Sequence, residues 1–535
     1  MSLKPKPVRE MPPELAELRN LIPEGSVYRL VGDVLYVQYD DADYVDLYHE
    51  EGQSGISPVL LAFVTIFQFL EKLSDRAAAN AVRVRLDWKY ALHLPLNYEG
   101  FNFSVLSEFR DRVIEHGAEA RLFDSMLEQL RGMGLVRRRG RQRTDSLALL
   151  TKVRDLTRLE QLVETVRLAL RALLATDKNW VRTTVPPTWE DVYGQPCIHE
   201  KLTQAERDAL AKRVGPDGQW LLERLQAEGT PGGLRDLPEV KVLATTWQQK
   251  FRIVEGELVP QEPGSYDGKT YINTPHDPEA RYSAKRGQGW VGYKLQVTET
   301  DDEDLPHLLT DIAVTSSVET DYEALEAIQE RVEKRDMLPA EQLGDKGYIT
   351  EDNLANSEKR GIDLIGPVKK DSQVQARIPG GITLDQFEVD FENLTAVCPA
   401  GQKAIIGTSK GKRLVFRFSK AGCAACPLRP QCCTGKGGRS ISLGRNYPVL
   451  KAARARQETE EFKALYRQHR GGIEGCLSGL VRGQGIRVGR YIGTAKIHLQ
   501  ALFTGVAVNL QRAARWLAGE RPQAKRQGLR LSQKA

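Results

Sequence analysis

The chain has 535 residues, 41% hydrophobic and 27% charged, enough for a large core spread over about two to four domains. No run of about 18 apolar residues occurs and the opening MSLKPKPVREMPPEL has no apolar leader core, so neither a membrane span nor a secretory signal is expected. The formal charge of +5 hides an asymmetry: residues 401–535 carry 27 lysines and arginines against five acids, +22, leaving −17 on the rest, the electrostatic footprint of a nucleic-acid binder.

In chain order, residues 1–50 read as a lead with a small β element, because SVYRLVGDVLYVQY alternates apolar and polar positions. A helical module follows over 51–140. Ser57 and Pro58 open its first helix, SPVLLAFVTIFQFLEKL, and NFSVLSEFRDRVIEHG gives a later one that closes on glycine. A module of this size suits helix-turn-helix docking on DNA. The basic loop VRRRGRQR (136–143) leads into TDSLALL, an apolar stretch carrying Asp145. Such a run is usually a solvated loop, and beside Asp145 it can reach phosphates.

Residues 156–174 form a strongly amphipathic helix, and helical sequence continues to about 255–260. Strands are expected over 289–301 and 307–317, then the helix TDYEALEAIQERVEKRDML, then a strand that ends in Asp345. Residues 375–445 are glycine-rich, β-like and hold five of the seven cysteines. Clustering of this kind argues against a dispersed disulfide framework and for a reducing cytoplasm. Helices resume near 446–448 and run to about 518, and a basic tail, expected to be disordered, occupies 519–535.

Two constellations carry chemistry. Within YRQHRGGIEGCLSGLVRGQGIRVGR (466–490), Tyr466, Arg470, Glu474 and Arg482 recur at steps of four, four and eight, which keeps them near one helix face. A lone acid on a basic face makes sense if that face meets a polyanion while the carboxylate holds a cation. The bland alternative is an exposed helix with a Glu474–Arg470 pair. The second constellation is Cys398, Cys423-x₂-Cys426, Cys432 and Cys433. Cys398, Cys423, Cys426 and Cys432 suit a structural Zn²⁺ site, with Cys433 as substitute, and the alternative is a set of reduced thiols. His276, His307 and His469 share no metal spacing. Trp290 and Tyr293 fill the sheet or stack on an unpaired base.

TDSLALLTKVRDLTRLE (144–160), LGDKGYITEDNL (343–354) and the stretch 466–517 resemble three signature blocks of bacterial insertion-sequence DDE transposases. YHEEGQSGISPVLLAFVTIFQ resembles the opening of that family's InsH-like N-terminal domain, and HDPEARYSAKRGQGWVGYKLQVTET (276–300) the block before its second aspartate. The resemblance implies a multidomain α/β protein with an RNase H-like mixed sheet flanked by helices. Its catalytic domain would span 141–374 and 446–518, interrupted by a helical insertion at about 156–260 and a cysteine-bearing β-rich insertion at 375–445.

It also implies DNA transposition, with Asp145, Asp345 and Glu474 as the catalytic carboxylates holding Mg²⁺ or Mn²⁺. Asp277 is the alternative first aspartate, since it lies nearer the expected strands. Tyr466 and Arg470 match the tyrosine and arginine of the family's Y-R-E-K helix signature as DNA contacts, although one extra residue separates them. Arg482 stands one residue late in place of the lysine. Terminal inverted repeats and target DNA would be the partners, a homodimer on DNA the working assembly, and the bacterial nucleoid its place. The rival readings are an inactive DNA-binding regulator derived from such an enzyme, and a metal-dependent nuclease that never joins strands.

Overall fold

A computed structural model describes every residue except 1, 6–9, 263, 286, 370, 372, 412, 434, 436 and 522–535. The basic tail expected from 519 therefore lies, beyond Arg521, outside the described residues.

The first difference from the sequence reading comes early. Residues 27–47 are short helical segments, Val27–Leu30, Val31–Leu35, Tyr36–Gln38 and Asp41–Leu47, where a β element is expected. The same residues satisfy a helical period: Val27, Leu30, Val31 and Leu35 fall at i, i+3, i+4 and i+8 and all are buried. Ser26 caps the turn by accepting the Tyr28 N–H, which tips the ambiguous pattern to helix. Four longer helices follow, α1 (Pro58–Glu71), α2 (Asp75–Val84), α3 (Ser104–Glu115) and α4 (Arg121–Gly132). Ser57 accepts the Leu60 N–H with Pro58 in the first turn of α1, which is buried over nearly its whole length.

The central sheet begins with β1 (Arg141–Leu150). An all-helical insertion then intervenes, built on α5 (Arg158–Thr176), α6 (Gln204–Gln226) and α7 (Pro238–Lys250). Thr157 and Glu160 form a capping box that starts α5. The insertion has a core of its own around Leu162, Val166, Leu221, Leu243 and Trp247. Helix α6 comes so close to Trp247 that a Cβ on Gly218 would stand 2.0 Å from the indole.

The sheet resumes with β2 (Arg281–Lys285), β3 (Gln288–Thr300) and β4 (Leu309–Ser316). Helix α8 (Asp321–Lys334) crosses to β5 (Glu341–Leu343), and α9 (Glu351–Lys359) to β6 (Asp363–Ile365). Across the sheet the order is β4–β3–β1–β5–β6, with β2 pairing the first residues of β3. β4, β3 and β1 are antiparallel neighbours, while β1, β5 and β6 run parallel. An antiparallel meander whose first strand is then joined by parallel crossovers is the mixed sheet of an RNase H-like fold, inside a multidomain α/β protein.

Residues 382–447 form a small β unit, an antiparallel pair and a three-stranded antiparallel sheet around Leu414, Phe416, Ile441 and Leu443. After the helix Tyr447–Gln457, three more helices follow among the described residues: α10 (Glu460–His469), α11 (Gly471–Ser478) and α12 (Thr494–Leu517). α12 lies between β4 and the N-terminal helices. Gly505 permits the approach, because a Cβ there would meet Ile312 and Phe123 at 3.0 Å. One continuous core thus joins α1–α4, the sheet and α12.

Candidate active site

Asp145 sits in the middle of β1, the central strand, and Asp345 lies two residues past the end of β5, the strand parallel to it. Burial pushes the Asp145 carboxyl up, the Arg470 guanidinium pulls it back, and the charge of Asp345 adds to the rise. The two aspartates therefore feel each other. Asp345 accepts the Gly347 N–H at 2.6 Å, which fixes its carboxylate within the turn that follows β5.

The helix bearing Glu474 is fixed by a buried charge network. Arg143, two residues before Asp145 and on the same face of β1, donates to Glu299 (2.8 Å), Asp301 (2.6 Å) and the His469 carbonyl (2.9 Å). His469 in turn bonds Asp301 through Nδ1 at 2.9 Å, and Arg512 of α12 reaches Glu299 at 2.8 Å. Gly472 makes room for this: a Cβ there would stand 2.0 Å from the Arg143 guanidinium. A glycine inside α11 costs helix propensity, and the close passage of Arg143 explains it.

Held this way, Arg470 donates from Nη2 to Asp145 at 2.6 Å, and only 9% of the residue is exposed. Its Nε and Nη1 are buried with no protein acceptor. Tyr466 donates to the carbonyl of Gly344, next to Asp345, and stacks on Phe462. Glu474 is exposed on α11, one turn of about 5.4 Å beyond Arg470. Arg482 is exposed in a π-helical segment, Gly479–Gly483. The wider π turn changes the rotation per residue, so the step of eight from Glu474 does not hold Arg482 in the α-helical phase that the spacing alone suggests.

Asp277 stands apart from this centre. It is wholly buried outside the strands, and its two oxygens accept from the Thr151 and Tyr293 hydroxyls, each at 2.6 Å. Tyr293 is accordingly a core residue. Only part of the basic run 136–143 turns inward: Arg143 is buried as described and Arg141 pairs with Glu341, whereas Arg137 and Arg138 stay exposed in surface pairs with Asp304 and Asp336.

Sequence reasoning missed Asp321, the first residue of α8. It accepts from the Ser146 hydroxyl at 2.9 Å and pairs with Lys294 at 3.3 Å. A Cβ on Gly347 would lie 2.7 Å from Asp345 Oδ1 and 3.0 Å from Asp321 Oδ2, so the two carboxylates face a common point. The buried Tyr348 hydroxyl is pushed well up, by burial first and then by Asp321, Asp145 and Asp345 together. Asp321 passes in sequence for a helix-start acid within the Thr320–Glu323 capping box. The signal that could have marked it is its place where a sheet strand hands over to a helix.

Among the described residues, no three His, Cys, Asp or Glu side chains are arranged to grip a metal ion as they stand. The donor set nevertheless suits a hard divalent cation, since Asp145, Asp321 and Asp345 offer only oxygen, and Arg470 supplies the cation that now neutralises Asp145. The cysteines all have free thiols. Burial raises the Cys432 thiol, and Cys423, Cys433 and Cys398 lie near enough to raise it further. Cys426 is not among those neighbours, and Cys423 Sγ accepts the Arg439 N–H at 3.4 Å.

The RNase H-like sheet thus carries Asp145 on its central strand and Asp345 just past the next parallel strand. Residues 397–514, which include Glu474, match the model of a transposase DDE domain, and residues 16–112 that of a transposase domain, DUF772. These two matches, which together span less than half of the chain, make it similar to transposases of the DDE class, consistent with the resemblance to insertion-sequence transposases. No curated protein matches the sequence. A piggyBac transposase synaptic complex with hairpin DNA, solved by cryo-EM, aligns over 69% of each chain at 9% identity, with a TM-score of 0.23 that is too low to bear on the argument. No described helix is long and apolar enough to cross a membrane.

Proposed function

We propose that the protein cuts the DNA ends of an insertion sequence and joins them to a target, using Mg²⁺ or Mn²⁺ held by Asp145, Asp345 and Glu474. The observation that carries this reading is the meeting of Asp145, Asp345 and Arg470, delivered by two sheet strands and by the helix that bears Glu474. The bound ions would activate the attacking oxygen and stabilise the leaving one. Water adds to a phosphorus at the element's end as the P–O3′ bond breaks, giving a 5′-phosphate and a free 3′-hydroxyl. That hydroxyl then attacks a target phosphodiester and displaces the target's own 3′-oxygen, so the bond count is unchanged and no co-reactant is consumed.

Arg470 has a defined part in this. Its Nε and Nη1, buried and without acceptors, are donors placed beside Asp145 for a phosphate oxygen. Tyr466 positions the turn that carries Asp345, and Arg482, exposed further along, meets the DNA backbone. Cys398, Cys423, Cys426 and Cys432 hold a structural Zn²⁺ once Cys426 closes on the other three. Two ends must be handled together, so the working form is a homodimer on DNA at the bacterial nucleoid.

The second reading, an inactive DNA-binding regulator, draws on the Arg470–Asp145 pair, which fills the centre with a protein cation. The test is to incubate labelled DNA from the flanks of the gene with wild type and Glu474→Gln in Mg²⁺, Mn²⁺ or EDTA. Metal-dependent cutting and joining that the variant loses supports the transposase. Cutting without joined product supports a nuclease, and binding without either product the regulator.

A further inference from the structure

A cleft of about 810 Å³ lies between the helical insertion and the β2–β3 hairpin, away from the carboxylates. It opens at Thr151, just past the end of β1 and six residues from Asp145, or roughly 20 Å at the rise of a strand. Its floor holds an unusual group. Lys250, at the end of α7, is 4% exposed, and its Nζ donates to Gln161 Oε1 at 2.7 Å and to the Tyr271 hydroxyl. The ammonium also packs 4.2 Å from the centre of the Tyr271 ring.

Among the described residues, no carboxylate lies within ion-pair distance of it. Asp155 and Glu262 line the cleft but are exposed at its rim. The charge that Lys250 does feel is Arg158, another cation, and burial holds the lysine down at about 8. A buried ammonium without a counter-charge is costly unless a ligand supplies one.

The walls are aromatic. Tyr271, Tyr282 and Trp290 line the cleft, and Tyr282 is 56% exposed. Gly289 makes space for the Tyr282 ring, since a Cβ there would stand 2.4 to 2.8 Å from its atoms. One exposed ring, Tyr282, and the half-buried Tyr271 and Trp290, beside cations without a counter-charge, form a stacking platform joined to a phosphate site. The volume admits a nucleotide but not a duplex.

We propose that this cleft binds one unpaired nucleotide of the DNA substrate, its base against Tyr282 and Trp290 and its phosphate against Lys250 and Arg158. The proposal rests on the reading of the protein as one that works on DNA, and it adds a site that opens or reads a strand some distance from the cut. Stacking of one base on aromatic side chains, at about 1–3 kcal/mol, corresponds to roughly 5- to 150-fold in affinity.

The test compares a blunt duplex with the same duplex carrying a short single-stranded extension that contains 2-aminopurine. Wild type is expected to bind the extended duplex at least about fivefold more tightly, with quenched probe fluorescence. Tyr282→Ala and Arg158→Gln, both at exposed side chains, are expected to shrink that preference while the melting temperature stays put. Equal binding of the two duplexes by wild type overturns the proposal and leaves the transposase reading standing. Failure to bind either duplex overturns both. Displacement of the extension by free thymidine monophosphate at concentrations matching its own affinity overturns the DNA assignment in favour of a free nucleotide.

Discussion

Replacing Arg470 by glutamine removes the guanidinium that pairs with Asp145. The Arg470 and Asp145 side chains are 11% and 13% exposed, and their contact is 2.6 Å. Breaking a buried pair by deleting one partner costs about 3–5 kcal/mol, because the survivor is left desolvated and uncompensated. In a chain of several domains that cost is best read locally. Hydrogen exchange of peptides covering β1 and residues 466–478 is expected to speed up by roughly 10² to 10³-fold in EDTA. Mg²⁺ should then recover much of the loss, since a divalent ion can take the place the guanidinium vacates; at about 100 times its Kd it contributes about 2.7 kcal/mol. The variant should also take up Mg²⁺ more tightly than wild type in calorimetry. Unchanged exchange in EDTA, or equal Mg²⁺ protection of both proteins, would refute the idea that Arg470 holds a cation's position.

Three further outcomes are expected. Gly218→Ala drives a methyl to within 2.0 Å of Trp247; overpacking at about 1–3 kcal/mol outweighs the roughly 1 kcal/mol gained in helix propensity, so the insertion should melt earlier and its tryptophan emission shift red. His498, whose Nδ1 accepts the Val314 N–H, is lowered by burial to about 4. The unfolded chain therefore takes up the proton first: stability is complete above about pH 6.5 and falls by up to about 3 kcal/mol as pH drops toward 4, a slope that His498→Asn should flatten in denaturant titrations. Cys423→Ser is expected to cut zinc content to below about half an equivalent and loosen residues 382–447 to protease; full zinc in the variant counts against Cys423 as a ligand.

Much of the fold could be read from local chemistry. Ser57–Pro58, the Thr157–Glu160 box and the alternation of 289–301 each announce an element, because capping and period are short-range properties. Residues 27–47 are ambiguous for the same reason: their pattern satisfies two periods, and tertiary burial decides. The stretch around Asp145 could be picked out because an acid within an apolar run is conspicuous. Pairing across hundreds of residues is not written in any local pattern. Arg470 stands out in the sequence beside Glu474, but its pairing with Asp145 shows only once β1 is laid beside it, and Asp321 looks like a helix cap until Gly347 is. Arg482 falls out of phase through a π turn that no propensity marks. Lys250 is hidden similarly, since nothing in WQQKF shows that its charge will be shut in without an acid.

The placement of α12 bears on how this protein comes into being. β4 and the N-terminal helices share it as a common wall, so the core begun by residues 27–132 stays open until residue 517 has left the ribosome. For most of its synthesis the nascent chain must shelter apolar helices that have no partner yet. A message cut short anywhere before α12 yields a product with an unsealed core, and proteolysis removes such products readily. Completion of the polypeptide through α12 is in this way a condition for a lasting protein.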